Sequence, residues 1–168
     1  MTIVIVFINL EKKQSMKQRI YIDTSVFGGF FDAEFEVYTK PLFARIKNKD
    51  LRILYSSVTE RELAKAPEQV KQLVRSLPSD TVEFIEVTDD SAELAMTYIK
   101  ENVVGKSSFD DCLHIALATL HKADYLISWN FKHIVNVERI RGYNSVNIKL
   151  GYSTIDIRSP REFMKYEN

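Results

Sequence analysis

The chain reads as an α/β protein, a three-layer α/β/α sandwich around a mainly parallel central sheet of about five strands. Three observations predict this. Five short runs rich in β-branched and aromatic residues alternate with longer segments carrying apolar residues every three or four positions. The runs are almost continuously apolar, as expected of strands buried on both faces. Finally, 45% of the 168 residues are apolar, which suits one domain with a core of ordinary size.

The predicted strands are RIYID (19–23), RILYS (52–56), VEFIEV (82–87), DYLIS (124–128) and TIDI (154–157). Helical spacing links Leu42 to Ile46 before the second strand, and Leu113 to Leu117 and Leu120 before the fourth. Thr39, Lys40 and Pro41 suggest a helix start, since Pro is tolerated in a first turn. Pro67 should break or restart the helix that follows the second strand. Ser108, with Asp111 three residues on, suggests a capped helix running to about His121, with Asp110 and Asp111 in its first turn. No internal repeat or low-complexity tract is present.

The first ten residues, MTIVIVFINL, are apolar but too few to span a bilayer, which takes about 20. They lack the basic start and the small-residue cleavage site of a secretory signal. The polar stretch EKKQSMKQ (11–18) comes next, with Met16 available as an internal start. Residues 1–15 therefore read as a flexible appendage or a misassigned start, and residues 16–168 as a single domain. The lone cysteine, Cys112, argues against a disulfide scaffold and fits a reducing compartment, the cytoplasm by default. Basic and acidic side chains balance at 23 each, so a polyanion would have to be met by a local basic patch.

In an open parallel sheet, ligands gather beyond the carboxyl ends of the strands, and the acids are distributed accordingly. Asp23 closes the first strand, Glu60 and Glu62 follow the second, Asp110 and Asp111 open the helix before the fourth, and Asn130 follows the fourth. Oxygen donors with no cysteine cluster and no spaced histidine pair suit hard cations such as Mg2+ or Mn2+ rather than zinc. Each residue also has a plainer reading. Asp23, with Thr24 and Ser25 behind it, could be a turn residue, although a carboxylate directly after an apolar strand is costly unless paired or metal-bound. Glu62 and Glu60 could be capping-box partners of Thr59 and Ser57. Asp110 and Asp111 could merely complement the helix dipole, an effect of about 0.3 to 1 kcal/mol each. His114, three residues after Asp111, fits a hydrogen-bonded core histidine better than a catalytic one. Lys132, His133, Arg139 and Arg141 could contact phosphate or be solvated helix charges. The cluster Phe27, Phe30, Phe31 and Phe35 around Gly28 and Gly29 reads as a mobile lid or a dimer contact.

The strings YIDTSVFGG, SSVTERELAKAP, DDCLHIALAT and DYLISWNFKHI, in that order and spacing, resemble the acidic motifs of PIN-domain nucleases, and most closely those of VapC-like toxins of prokaryotic toxin and antitoxin pairs. The resemblance covers residues 18 to about 165. It implies that Asp23 is the first acid, Glu62 the second and Asp111 the third. The fourth position, commonly aspartate, falls at Asn130, which removes one negative charge. The resemblance further implies RNA cleavage, neutralisation by a cognate antitoxin, and dimerisation.

The resulting expectation is a divalent-metal-dependent endoribonuclease in which Asp23, Glu62 and Asp111 hold one or two ions, with Asn130 in support and Glu60, Asp110, Thr24 and Ser25 as secondary candidates. The expected partners are an RNA substrate, a small antitoxin and a second copy of the chain, with no membrane. Two rivals stand beside it. One is a degenerate domain of the same fold that binds RNA or protein without cutting, its metal site weakened by Asn130. The other is a metal-dependent phosphatase or other α/β hydrolase, against which counts the absence of a second acid two residues after Asp23.

Overall fold

The computed structural model describes residues 17–166. The reading of residues 1–15 as an appendage falls outside them. Five strands, β1 (Gln18–Ile22), β2 (Leu51–Ser56), β3 (Val82–Ile85), β4 (Tyr125–Ile127) and β5 (Asp156–Arg158), form one sheet in the order β3-β2-β1-β4-β5. Every pairing is parallel. The helices are α1 (Thr24–Gly29), α2 (Glu36–Lys47), α3 (Ser57–Leu63), α4 (Glu68–Arg75), α5 (Asp89–Lys100), α6 (Phe109–Leu120), α7 (Val137–Lys149) and α8 (Pro160–Tyr166).

Strand alternation divides the core between two faces. Tyr21, Leu54, Leu126 and Ile157 point to the side covered by α5, α6 and α7. Ile20, Ile22, Ile53 and Ile127 point to the side covered by α1, α2, α4 and α8. Both faces are buried, so the expected α/β/α sandwich forms, with the sheet parallel throughout. The chain winds outward from β1 to β3, then crosses back to β4 on the other side of β1. The change of direction lies between β1 and β4, where open α/β sheets leave a crevice at the strands' carboxyl ends.

Several local expectations need correction. TIDI was expected to be a strand from Thr154, but β5 starts at Asp156, because the Asn144 side chain takes both backbone groups of Ile155, accepting from its N–H at 2.8 Å and donating to its carbonyl at 3.1 Å. The third strand stops at Ile85, and the Val87 N–H turns away to donate to Ser57 Oγ at 3.1 Å. The second helix begins at Glu36 rather than near Thr39, out of a turn in which the Asp32 carboxylate accepts the Glu34 N–H at 2.8 Å. Pro41 therefore lies inside α2; the bond it cannot make would go to the carbonyl of Val37, an exposed residue whose carbonyl can be solvated. Pro67, as expected, separates α3 from α4.

Ser108 does precede α6, but its side chain makes no capping bond, because a short 3-10 turn over 106–108 leads straight into the helix. Neither Ser57 nor Thr59 caps α3; Ser56 does, accepting the Thr59 N–H at 3.1 Å. The aromatic cluster is largely packing rather than a lid. Phe27 is fully buried against Phe43 and Tyr55, Phe30 is half-buried, Phe35 stacks on Trp129 at 4.4 Å, and Phe31 is exposed. Gly29 allows this approach, since a Cβ there would meet Trp129 Nε1 at 2.7 Å.

Candidate active site

Asp23 follows β1 and is the residue from which α1 starts; its N–H still donates to the Ile127 carbonyl of β4 at 3.2 Å. The side chain is only 4% exposed. Both carboxylate oxygens receive serine hydroxyls, Ser25 Oγ at 2.5 Å and Ser128 Oγ at 2.8 Å. Each serine oxygen in turn accepts a backbone N–H from the loop after β4, that of Trp129 for Ser25 and that of Asn130 for Ser128, both at 2.9 Å. The backbone thus commits each hydroxyl proton to Asp23, and the pocket is built for an anionic carboxylate. Burial nonetheless pushes the Asp23 carboxyl above its ordinary range, with Glu62 adding to the effect and His114 and the two hydroxyls opposing it.

Glu62 and Glu60 take opposite sides of α3. Glu60 is exposed, whereas Glu62 turns inward and is half-buried. Glu62 Oε2 accepts the Thr24 hydroxyl and lies 3.2 Å from His114 Nε2. Burial alone would raise its carboxyl, but the His114 and Thr24 contacts and nearby Arg61 outweigh this and hold it below the usual range. His114 is buried, as expected of a hydrogen-bonded core histidine, and its Nδ1 lies 2.7 Å from the Tyr21 hydroxyl.

The two aspartates that open α6 diverge in the same way. Asp110 is exposed and pairs with Arg61 at 2.8 Å. Asp111 is half-buried, and its Oδ1 accepts the Asn130 Nδ2 at 2.9 Å. Burial pushes the Asp111 carboxyl up, reinforced by Glu62 and Asp110 and opposed by His133 and His114. Asn130 directs its nitrogen to Asp111, while its side-chain oxygen accepts the His133 N–H at 3.0 Å.

The four basic candidates separate. Lys132 is exposed, and His133 is half-buried with Nδ1 lacking a hydrogen-bond partner. Arg139 donates to the Val103 carbonyl, and Arg141 pairs with Glu138 at 3.2 Å, so both are engaged elsewhere. Sequence reasoning overlooked Ser128 and Tyr21. A serine two residues before Asn130 at a strand end, and a tyrosine in an otherwise apolar strand whose hydroxyl needs a partner, were the available signals.

Among the described residues, no three histidine, cysteine or acidic side chains stand close enough to form a ready-made metal cage. The donor chemistry nevertheless fits a hard cation: Asp23, Glu62 and Asp111 offer oxygens, Glu62 acts electrostatically on both aspartates, and no Lys or Arg among the described residues forms an ion pair with any of the three. Oxygen donors of this kind suit an external hard cation or protons.

No protein-family model and no curated protein matches the sequence. Solved structures do match. A chain of DNA-bound VapBC from Salmonella typhimurium superposes with a TM-score of 0.53 at 15% identity, covering 85% of this chain and 98% of its own. A chain of VapBC2 from Rickettsia felis, bound to a promoter DNA fragment, gives 0.51 at 16% identity over 84% and 98%. VapC20 of Mycobacterium tuberculosis, a sarcin-ricin loop cleaving toxin, gives 0.52 at 19% identity over 67% and 91%. The chain shares the fold of these VapBC and VapC chains. At these identities the likeness is one of fold, and the chemistry belongs to this chain's own side chains.

Proposed function

We propose that this VapC-like chain is a divalent-metal-dependent endoribonuclease, the toxin of a toxin and antitoxin pair, with Asp23, Glu62 and Asp111 holding Mg2+ or Mn2+. What supports the reading is that Asp23 and Asp111 both feel the charge of Glu62, and that their oxygens are held by hydroxyl, amide and imidazole groups rather than by a lysine or arginine. A bound ion would lower the pKa of water and neutralise phosphate charge. The protein's own groups hold the donors still: Ser25 and Ser128 fix both oxygens of Asp23, Thr24 and His114 fix one oxygen of Glu62, and Asn130 fixes one oxygen of Asp111. Lys132 and His133, on the loop that carries Asn130, are the side chains available to a phosphate backbone. RNA is the proposed substrate, a small antitoxin and a second copy are the proposed partners, and the cytoplasm is the proposed compartment. Among the described residues no helix is long and apolar enough to cross a membrane.

The second reading, a domain that binds RNA or protein without cutting, is favoured by one observation: the acids do not stand in a closed cage. Labelled single-stranded RNA incubated with the full chain separates the two. Endonucleolytic products with Mn2+ that vanish with chelator support the enzyme, whereas tight binding without products under both conditions supports the second reading.

Asn130 enters this scheme as a positioning residue, since its nitrogen faces Asp111 and its oxygen is occupied by the His133 N–H. Asn130→Ala should lower cleavage about 10- to 100-fold without abolishing it, the range seen when groups that orient metal ligands are removed. Single-turnover rates at saturating Mn2+ check this, and a rate equal to the parent's would leave Asn130 as a loop residue only.

A further inference from the structure

A continuous run of buried polar atoms crosses the sheet behind Glu62. Thr59 N–H donates to Ser56 Oγ at 3.1 Å, and the Thr59 hydroxyl lies 3.1 Å from the same oxygen. Ser56 Oγ is 2.7 Å from the Tyr21 hydroxyl, Tyr21 is 2.7 Å from His114 Nδ1, and His114 Nε2 is 3.2 Å from Glu62 Oε2. The run joins the end of β2 and the first turn of α3 to the carboxyl end of β1, then to α6, and returns to α3. Tyr21 and Ser56 are fully buried and His114 nearly so.

We propose that Tyr21 and His114 are positioning residues for Glu62: Tyr21 holds the imidazole in its Nε2–H tautomer, and that N–H, together with the Thr24 hydroxyl, occupies Glu62 Oε2 and leaves Oε1 to face a cation. This rests on the metal-site reading above. In the assigned proton order, Thr59 donates its N–H and its hydroxyl to Ser56 Oγ, Ser56 donates to the Tyr21 oxygen, and Tyr21 donates to Nδ1, the bare ring nitrogen.

The run ends on the Glu62 carboxylate, whose Oε2 meets both the Thr24 hydroxyl and His114 Nε2. A tyrosine needed only for packing could be replaced by phenylalanine at little cost to the neighbouring groups. Here, losing the hydroxyl frees Nδ1 and lets the ring take either tautomer. In the Nδ1–H form, Nε2 presents a lone pair to Glu62 Oε2 and repels it. The carboxylate would then swing from the orientation that α3 gives it, with its charge unchanged.

The test uses the 15N-labelled full chain, with His114 signals identified by their loss in His114→Gln. The parent should show a protonated Nε2 and a bare Nδ1. Tyr21→Phe should keep its far-UV circular dichroism but show a mixture of His114 tautomers, and its Mn2+ affinity by calorimetry should fall about tenfold. His114→Ala should lose at least as much, while His114→Gln, whose amide can still donate to Glu62, should recover part of the loss. If Tyr21→Phe fails to fold, the His114 pair supplies the same comparison. A parent ring protonated on Nδ1, or folded Tyr21→Phe and His114→Ala variants that bind Mn2+ as the parent does, overturns the proposal. A parent that binds no Mn2+ overturns the metal reading and the proposal together, an outcome distinct from parent binding that the variants match.

Discussion

Asp23→Asn is expected to abolish Mn2+-dependent cleavage, a fall of about 1,000-fold or more, since a bound ion is worth several kcal/mol of transition-state charge stabilisation and each 1.36 kcal/mol is tenfold in rate. The substitution preserves shape but removes charge from the most buried of the three acids, 4% exposed and gripped by Ser25 and Ser128. Retention of more than a tenth of the parent rate would remove Asp23 from the site. The same variant carries a stability signature of opposite sign. Burial raises the Asp23 carboxyl in the folded state, so its favourable contribution is complete below the unfolded carboxylate pKa of about 3.9 and is lost as pH rises through the folded value.

Above that window, in metal-free protein, the ionised Asp23 destabilises the fold, and Asp111, raised in the same direction, does so more weakly because it is half-exposed. Metal-free Asp23→Asn should therefore melt no lower than the parent at neutral pH, even though one serine hydroxyl loses its carboxylate partner, a loss of about 1 kcal/mol. The difference should shift towards the parent as pH falls towards 4. Mn2+ should raise the parent's melting temperature and leave the variant's nearly unchanged, because only binding to the native state stabilises it. Protons and cations compete for the same carboxylates, so parent activity should decline in acid.

Much of this arrangement was legible in the sequence because the signals were local. Apolar runs of four to six residues located every strand, and two-residue separation along α3 already required Glu60 and Glu62 to face apart. Asp110 and Asp111, adjacent in α6, diverge by the roughly 100° that one helical residue turns. What the sequence hid was set by side chains that redirect the backbone: Asn144 seizing Ile155 and shortening β5, Asp32 starting α2 ahead of Pro41, and a 3-10 turn making the Ser108 cap unnecessary. Ser128 and Tyr21 were hidden differently. Tyr21 in β1 and Ser128 just after β4 look ordinary until a chain segment 93 or 105 residues away supplies His114 or Asp23 as partner. The phenylalanines around Gly29 misled because composition suggested an exposed patch, while the absence of a Cβ at Gly29 allowed Trp129 to close over them.

Glu62→Gln and Glu60→Gln should separate sharply in Mn2+ affinity, although each removes one charge from the same helix. Glu60 is exposed and stands outside the hydrogen-bond network of the site, so its loss changes only a screened field and should alter affinity less than about threefold, as expected of charges separated by water. Glu62 acts electrostatically on both Asp23 and Asp111 and has one oxygen committed to Thr24 and His114. A glutamine there can keep its oxygen on those two donors only by offering its NH2 to the cation, which repels it. The alternative rotamer offers oxygen to the cation but sets NH2 against the His114 Nε2–H. Either way a ligand is lost, and affinity should fall about 100-fold. Calorimetry on both variants, with the parent's circular dichroism retained, reads the two numbers directly. If Glu60→Gln shows the larger loss, the second acid of the site is Glu60, and α3 must turn by roughly half a helical turn when the ion binds.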